Sequence, residues 1–377
     1  MKTRLLILSL VLIHSLHPLM AQRVEKVIGP VPRINNGVLV DDDGTIYGCD
    51  LFGSGFDGTR IYQISPDGQT SKIFADGLTR PAGMAFDANG LLYVAEFGSG
   101  EVSTVDTNGQ VTQFASGFPS PSGLAFDTAG YLYVTNYGNG TVSRVSPAGV
   151  IRTLTSGIDQ PVGIAFDDRH RLYVVSLRKG NLWRIDTAGA KTLVATLPDL
   201  PVGFMCFAKG KLYVCATGNH RIYEVELDGT FRVYAGTGQL GTVNGPVDSA
   251  RFTNPDGIAA SPTGDTLYIS ENNTNLLRRI VPDRDTIINS LPDHSSGEWK
   301  LNSFPNPSSG NVRIDLEVMI PSQIRLVGSL GQELWSESIA AGNFHWQLNG
   351  DDYPKGIYFL ELRSGAELLE SRKIVLQ

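Results

Sequence analysis

A glycine returns in this chain every 40 residues, inside three segments spelled almost alike: Pro81-Ala82-Gly83-Met84-Ala85-Phe86-Asp87, Pro121-Ser122-Gly123-Leu124-Ala125-Phe126-Asp127 and Pro161-Val162-Gly163-Ile164-Ala165-Phe166-Asp167. The same glycine recurs as Gly203 and, after a longer gap, as Gly257, while Asn35-Asn36-Gly37 opens a degenerate first copy, which makes six copies. A fixed period of this length means one supersecondary unit repeated, and no such unit buries its apolar face without a neighbour.

Within each copy a β-branched and aromatic run follows: Ile46-Tyr47-Gly48, Leu92-Tyr93-Val94, Leu132-Tyr133-Val134, Leu172-Tyr173-Val174, Leu212-Tyr213-Val214 and Leu267-Tyr268-Ile269. Turn residues such as Ala88-Asn89-Gly90 precede these runs, so each pair of elements reads as a β-hairpin. A third and a fourth strand follow, for example Val102 to Asp106 and Gln110 to Ala115. Four antiparallel strands per period of about 40 residues, six times over, predict an all-β chain built on a six-bladed β-propeller. Strands buried between blades also explain Leu-Tyr-Val runs in place of strict alternation. A solenoid is the competing architecture, and it needs capping repeats that the chain does not show. Two segments compete to close the ring beside Leu276 to Val281: Arg23 to Ile28, and Asp285 to Ser290.

The residues then reach a family. Thr217-Gly218-Asn219-His220-Arg221-Ile222, Ala235-Gly236-Thr237-Gly238 and Ala250-Arg251-Phe252-Thr253-Asn254-Pro255-Asp256-Gly257-Ile258 resemble NHL-repeat propellers over about residues 35 to 291. The resemblance implies a fold only, because such propellers carry unrelated activities on one scaffold.

Ahead of the repeats, Lys2 and Arg4, an apolar run from Leu5 to Leu16 and Pro18-Leu19-Met20-Ala21 read as a secretory leader cleaved after Ala21. His14, His17 and Pro18 interrupt that run too early for a membrane anchor. The net charge of −7 grows more negative once the leader is gone, which disfavours nucleic acid as a partner. The expected organisation is a leader over 1–21, the propeller over 22–291, a polar linker over 292–303 and a small β-sandwich over 304–377. In the last of these, Phe304-Pro305-Asn306-Pro307-Ser308-Ser309-Gly310, Gly331-Gln332-Glu333-Leu334, Gly356-Ile357-Tyr358-Phe359-Leu360 and Lys373-Ile374-Val375-Leu376-Gln377 resemble the C-terminal sorting domain of the type IX secretion system. That resemblance implies the secretion machinery as a partner and a secreted or cell-surface protein that is not integral to the membrane. A sugar-binding accessory sandwich is the alternative for this module.

Propeller geometry places the starts of the inner strands and the ends of the second strands at one mouth. Candidate ligand-binding residues there are Asn35, Asn36, Asp50, Glu96, Phe97, Asn136, Tyr137, Asp256 and Glu271. Two insertions, Leu51 to Thr59 and Gly236 to Thr253, are expected to rim the same mouth. Phe97 and Tyr137 offer flat faces to a sugar or peptide, or else fill the gap between blades. Glu96, Asn136, Asp256 and Glu271 carry hard oxygens of the kind that hold Ca²⁺. Arg33-Ile34-Asn35-Asn36-Gly37 and Pro255-Asp256-Gly257 are similar to metal-binding stretches of the regucalcin and gluconolactonase group, which implies a metal-dependent lactonase. The pattern departs at Ala82, where the group has an asparagine, and in the missing Glu-Gly-Pro start.

Other motifs carry less. Gly53 to Gly58 and Gly236 to Gly241 spell the dinucleotide fingerprint without opening a helix. Asp41-Asp42-Asp43-Gly44 reads as a turn at the opposite face. His170, His220, His294 and His345 form no dyad, and Cys49, Cys206 and Cys215 are expected as buried free thiols, Cys206 lying opposite about Lys211 or Leu212. Two functions remain: an extracellular glycan- or peptide-binding propeller, and a divalent-metal lactonase, hydrolase or lyase.

Overall fold

The computed structural model describes residues 22–27, 33–53, 57–282, 299–304, 312–318, 321–328, 332–349, 352–364 and 367–376. The leader, its cleavage after Ala21 and the segment 285–290 lie outside them. Five four-stranded antiparallel sheets and one of five strands form six blades. Blade two shows the pattern: inner strand Pro81–Phe86, second strand Leu92–Glu96, third strand Glu101–Val105 and outer strand Val111–Ser116. Blades three and four repeat it from Pro121 and Pro161.

Every inner strand packs against the next, and the repeat glycine is what permits the approach. A Cβ on Gly37, Gly83, Gly123 or Gly257 would run into the carbonyl of Ala82, Ser122, Val162 or Asn36 in the following blade. At Gly163 a Cβ would lie 2.8 Å from the Met205 nitrogen. The fifth junction is made by a hydrogen bond, the Phe204 N–H donating to the Asp256 carbonyl at 2.9 Å. The sixth contact returns from blade six to blade one, so the ring is closed. Phe204 thus stands where the repeat expects its glycine, because Met205 pairs with Val214 as Met84 pairs with Val94. Gly203 lies one residue early, a correction to the sequence alignment of this blade.

Closure uses the N-terminal strand. Gln22–Lys26 pairs antiparallel with Leu276–Pro282, Arg23 opposite Val281, as the outer strand of blade six. Small side chains that can hydrogen-bond, at or one residue short of the second-strand ends, stitch neighbouring blades. Thr135 Oγ1 accepts from Gly123 N–H at 2.7 Å and donates to the Val162 carbonyl at 3.0 Å, Ser270 does the same for Gly257 and Asn36, and the Cys49 thiol donates to the Ala82 carbonyl at 2.9 Å. At the opposite end, Tyr47, Tyr93 and Tyr133 meet Phe86, Phe126 and Phe166 of the next blade edge-on at 4.9–5.3 Å between ring centres.

A second compact unit carries a three-stranded sheet (Trp299–Phe304, Val312–Val318, Gly342–Leu348) and a four-stranded one (Glu333–Ile339, Ser322–Gly328, Gly356–Ser364, Glu367–Leu376). Their facing apolar positions, among them Ile314, Leu316, Ile324, Leu326, Leu360 and Ile374, form one core, which makes the unit a β-sandwich. No helix among the described residues is long and apolar enough to cross a membrane.

Candidate functional site

Pro81 pairs with Glu96, Pro121 with Asn136, Pro161 with Ser176 and Pro255 with Glu271, so inner-strand starts and second-strand ends share one end of the disc as expected. What these residues do there divides them into three groups.

Glu96, Asn136 and Glu271 lie along the blade face and are bound to the residue seven positions on, across the hairpin. Glu96 accepts from the Ser103 hydroxyl at 2.5 Å and from the Thr79 N–H at 2.7 Å. Glu271 accepts from Arg278 at 2.8 Å, Thr274 at 2.7 Å and the Thr253 N–H at 3.2 Å. Asn136 donates to Ser143 and Thr141, each at 2.8 Å. Its Oδ1 is buried without a partner among the described residues, since the loop position that supplies an N–H at Thr79 and Thr253 is Pro119 in this blade. Glu96 and Glu271 latch the connection between blades, and Asn136 is tied only within its own hairpin.

Asn35 and Asp50 hold the first insertion. Asn35 Nδ2 donates to Asp50 at 2.7 Å and to Asn275 at 3.1 Å, its Oδ1 accepts from Leu51 N–H at 2.9 Å, and Asp50 also accepts from Gly53 N–H at 2.8 Å. The second insertion starts at this mouth but turns outward, a correction to the expectation that both rim it. Gly245–Pro246 adds a fifth strand beside Gln22–Lys26, while Ala250 and Phe252 are buried in the core between blades five and six. Arg278, itself buried over the Phe252 ring, ties it down by donating to the Val243 and Arg251 carbonyls, Asn244 Oδ1 and Glu271.

Asn36 and Asp256 form the third group. They are 220 residues apart in sequence, and ring closure makes them neighbours: Asn36 Nδ2 donates to Asp256 Oδ2 at 2.7 Å. Burial pushes the Asp256 carboxyl up to about 7, the Asn36 amide opposing this. Gly203 packs directly against this pair: a Cβ there would lie 2.5 Å from Asp256 Oδ1, 2.6 Å from the Asp256 carbonyl oxygen and 3.0 Å from Thr217 Oγ1. Asn36 Oδ1 and Thr217 Oγ1 are both buried with no hydrogen-bond partner among the described residues. Thr217 escaped the sequence reading. Only its place one residue beyond a second-strand end, in the blade that lacks a polar residue there (Ala216), would have pointed to it.

Around the same mouth Phe97 and Tyr137 lie half-buried with ring centres 5.4 Å apart, and the Arg80 guanidinium stands 4.9 Å over Phe97. Tyr137 also packs on the core that includes Val162, as the gap-filling alternative expects.

The expected Ca²⁺ ligands Glu96, Asn136, Asp256 and Glu271 do not converge. Three are held in separate blades, Asp256 is bound to Asn36, and no three His, Cys, Asp or Glu among the described residues are placed to hold a metal ion. A Ca²⁺ ion takes six to eight oxygens. The residues do not fit it. Elsewhere the smaller expectations are met. Asp41 Oδ1 accepts from Asp43 and Thr45 N–H in a tight turn, and the three cysteines are free, Cys49 and Cys215 buried as expected and Cys206 only partly so. Cys206 pairs with Tyr213, one residue beyond the expected register, and burial pushes its thiol up to about 12. His220 Nδ1 accepts the Asn254 N–H at 3.2 Å and so supports the loop leading to Asp256.

The model of the SMP-30/Gluconolactonase/LRE-like region matches residues 29–178, and that of the Secretion system C-terminal sorting domain matches residues 302–377. No curated protein matches in sequence. Solved structures with the same fold include a gluconolactonase of Xanthomonas campestris (TM-score 0.55, 17% identity, 69% of this chain and 89% of that one). An auxiliary nutrient binding protein of Bacteroides ovatus is similar too (0.59, 17%, 70% and 77%), as is virginiamycin B lyase of Staphylococcus aureus (0.52, 14%, 69% and 98%). At such identities the likeness carries the fold alone.

Proposed function

From a chain that joins a gluconolactonase-like propeller to a type IX sorting domain, and that is therefore delivered to the cell surface or beyond, we propose a binding protein for a hydroxyl-rich extracellular ligand, a glycan in preference to a peptide. The supporting observation is the pair of buried oxygens without a hydrogen-bond partner among the described residues, Asn36 Oδ1 and Thr217 Oγ1, gathered around Asp256 at the mouth. Leaving buried polar atoms unpaired costs about 1–3 kcal/mol each, and a ligand hydroxyl that donates to Asn36 Oδ1 and bonds Thr217 Oγ1 would recover it. Asp256, protonated for much of its time near neutrality, can donate to a ligand oxygen or accept from a hydroxyl. Phe97 and Tyr137 add apolar faces of the kind sugar rings stack on.

Thr217→Val tests this with opposite signs in two readouts. Removing an unpaired hydroxyl should leave the melting temperature unchanged or higher, while glycan-array or calorimetric affinity falls several-fold, the scale of about 1 kcal/mol for one hydrogen bond. Undiminished affinity in a folded Thr217→Val, Asn36→Ala double variant would overturn the site. The near-neutral carboxyl of Asp256 favours a second reading, proton transfer to or from a bound lactone or ester. Its mark would be turnover abolished in Asp256→Asn with binding kept.

A further inference from the structure

At the end of the disc away from the mouth, one junction between blades departs from its sisters. Where the turn between third and fourth strands meets the outer strand of the blade before it, a Cβ on Gly109, Gly189 or Gly229 would lie 2.0–2.1 Å from the carbonyl oxygen of Phe74, Leu154 or Val194. At the junction of blades two and three the matching distance, from Gly149 to the Phe114 carbonyl, is 3.4 Å. The wider gap is a crevice of about 280 Å³, open to solvent, with Tyr93, Phe114, Phe126, Leu132 and Pro147 in its walls and Asp87 among its lining residues.

The sister blades show what this crevice lacks. The second-strand tyrosine stands opposite Gln63 at Tyr47, Arg144 at Tyr133 and Arg184 at Tyr173, but opposite Thr104 at Tyr93. Gln63 Nε2 donates to the Tyr47 hydroxyl at 2.9 Å, and the hydroxyls of Tyr133 and Tyr173 donate to Asp127 and Asp167 at 3.1 and 3.3 Å. Each of these two carboxylates also holds a guanidinium, Arg144 at 3.6 Å from Asp127 and Arg171 at 2.6 Å from Asp167. In blade two the short Thr104 side chain donates to the Thr112 carbonyl at 3.2 Å, and Leu91 occupies the place of Arg171. Tyr93 is only 9% exposed, yet among the described residues its hydroxyl has no hydrogen-bond partner. Asp87 accepts only from Asn89 and from the Leu91 N–H, and no cation among the described residues pairs with it. Burial, and then the charge of Asp87, raise the pKa of Tyr93, so the hydroxyl keeps its proton.

We propose that this crevice is a binding site for a guanidinium group on an aliphatic stem, the chemistry of an arginine side chain, supplied from outside the chain to the place that Arg144 fills in blade three. The head donates to Asp87 and to the Tyr93 hydroxyl oxygen, and the stem lies along the apolar walls. A neutral group of the same shape leaves the carboxylate uncompensated, so the site selects charge as well as shape.

The experiment is a ligand-observed NMR titration of the intact chain with N-acetyl-arginine amide and with N-acetyl-citrulline amide, alike in shape but uncharged. Saturable binding of the arginine probe at one site is expected, tighter than the citrulline probe by at least about fivefold, the scale of one charge-assisted hydrogen bond. Thr104→Arg rebuilds the arrangement of blade three and should abolish binding. Asp87→Asn keeps the oxygen that caps the turn and should weaken binding by a similar factor; it carries the test alone if Thr104→Arg fails to fold. Free arginine separates two sources of the group: tighter binding than the capped probe assigns the site to the amino acid, equal or weaker binding to a residue within a chain, and either order supports the crevice. No saturable binding by the parent, equal binding of the citrulline probe, or folded variants that bind as the parent does would overturn the proposal. The crevice shares no residue with the Asn36–Asp256 pair, so its failure leaves the glycan reading standing, and the converse holds.

Discussion

A carboxyl group buried with one amide for a partner keeps its proton well above the range of a solvated aspartate, and at Asp256 burial carries it to about 7. In the unfolded chain the same group titrates near about 3.9. Between those two values the folded protein binds more protons than the unfolded one, so stability falls as pH rises from about 4 to about 7 and is level above. Three pKa units at about 1.4 kcal/mol each set a ceiling of about 4 kcal/mol. Asp256→Asn keeps the shape and an acceptor for Asn36 but carries no proton to lose. It should melt higher than the parent at about pH 8, match it near about pH 4, and flatten the slope between; melts across that range check this, and a parent-like slope in the variant would place the raised proton elsewhere. The sequence placed Asn36 and Asp256 at the mouth and even on matching inner-strand positions, and the structure makes them touch. It also placed Glu96 and Glu271 there, but a position at a strand end does not say which way a side chain leaves the sheet. The signal for these bonds was present in the polar residue seven positions on, Ser103 for Glu96, Ser143 for Asn136 and Arg278 for Glu271, which an antiparallel hairpin sets beside them.

At the scale of elements, blades two to four were readable strand by strand because each period repeats its own turn chemistry. Blade five was misaligned by one, since Gly203 offers the expected residue while the pairing of Met205 with Val214 puts Phe204 in its place. No local pattern distinguishes a glycine at the station from one beside it. The second insertion was legible as extra length but not as a route, because its direction is set by a contact with Arg278, 27 residues beyond Arg251. Arg278 also forms a buried ion pair with Glu271, and breaking such a pair by removing one partner costs about 3–5 kcal/mol, since the other charge is left without compensation. Arg278→Met should destabilise on that scale and also free the insertion, seen as new proteolytic cleavage near the exposed Leu240. Arg278→Met combined with Glu271→Met should recover much of the stability without restoring protection, because apolar replacements satisfy the burial but cannot hold the Val243 carbonyl and Asn244. A double variant as resistant to protease as the parent would show that the insertion is held by Phe252 and Ala250 alone.

Over the whole molecule, the closed ring is the feature on which the proposed polar site depends, since Asn36 of blade one is bound there to Asp256 of blade six. Sequence left the closing strand undecided, because two β-prone segments at opposite ends of the repeats were equally able to lie beside Leu276–Pro282. The structure uses Gln22–Lys26, whose Val24 is fully buried, with Val27 next to it equally so. Fully burying two valines contributes roughly 3–6 kcal/mol, and the same strand shields an otherwise unpaired edge. A chain lacking residues 22–27 should therefore melt lower by a margin of that order and associate through the exposed strand, visible as concentration-dependent elution on a sizing column. Its polar site should weaken with it, since Asn36 would no longer be held against Asp256. A synthetic peptide of residues 22–27 added in trans should restore part of the melting temperature, as any ligand selective for the folded state does. Two valine-to-alanine changes, at 24 and 27, give the same test without deleting backbone. A truncated chain that melts with the parent and stays monomeric would mean that the strand decorates blade six and that the ring is closed by the packing of inner strands.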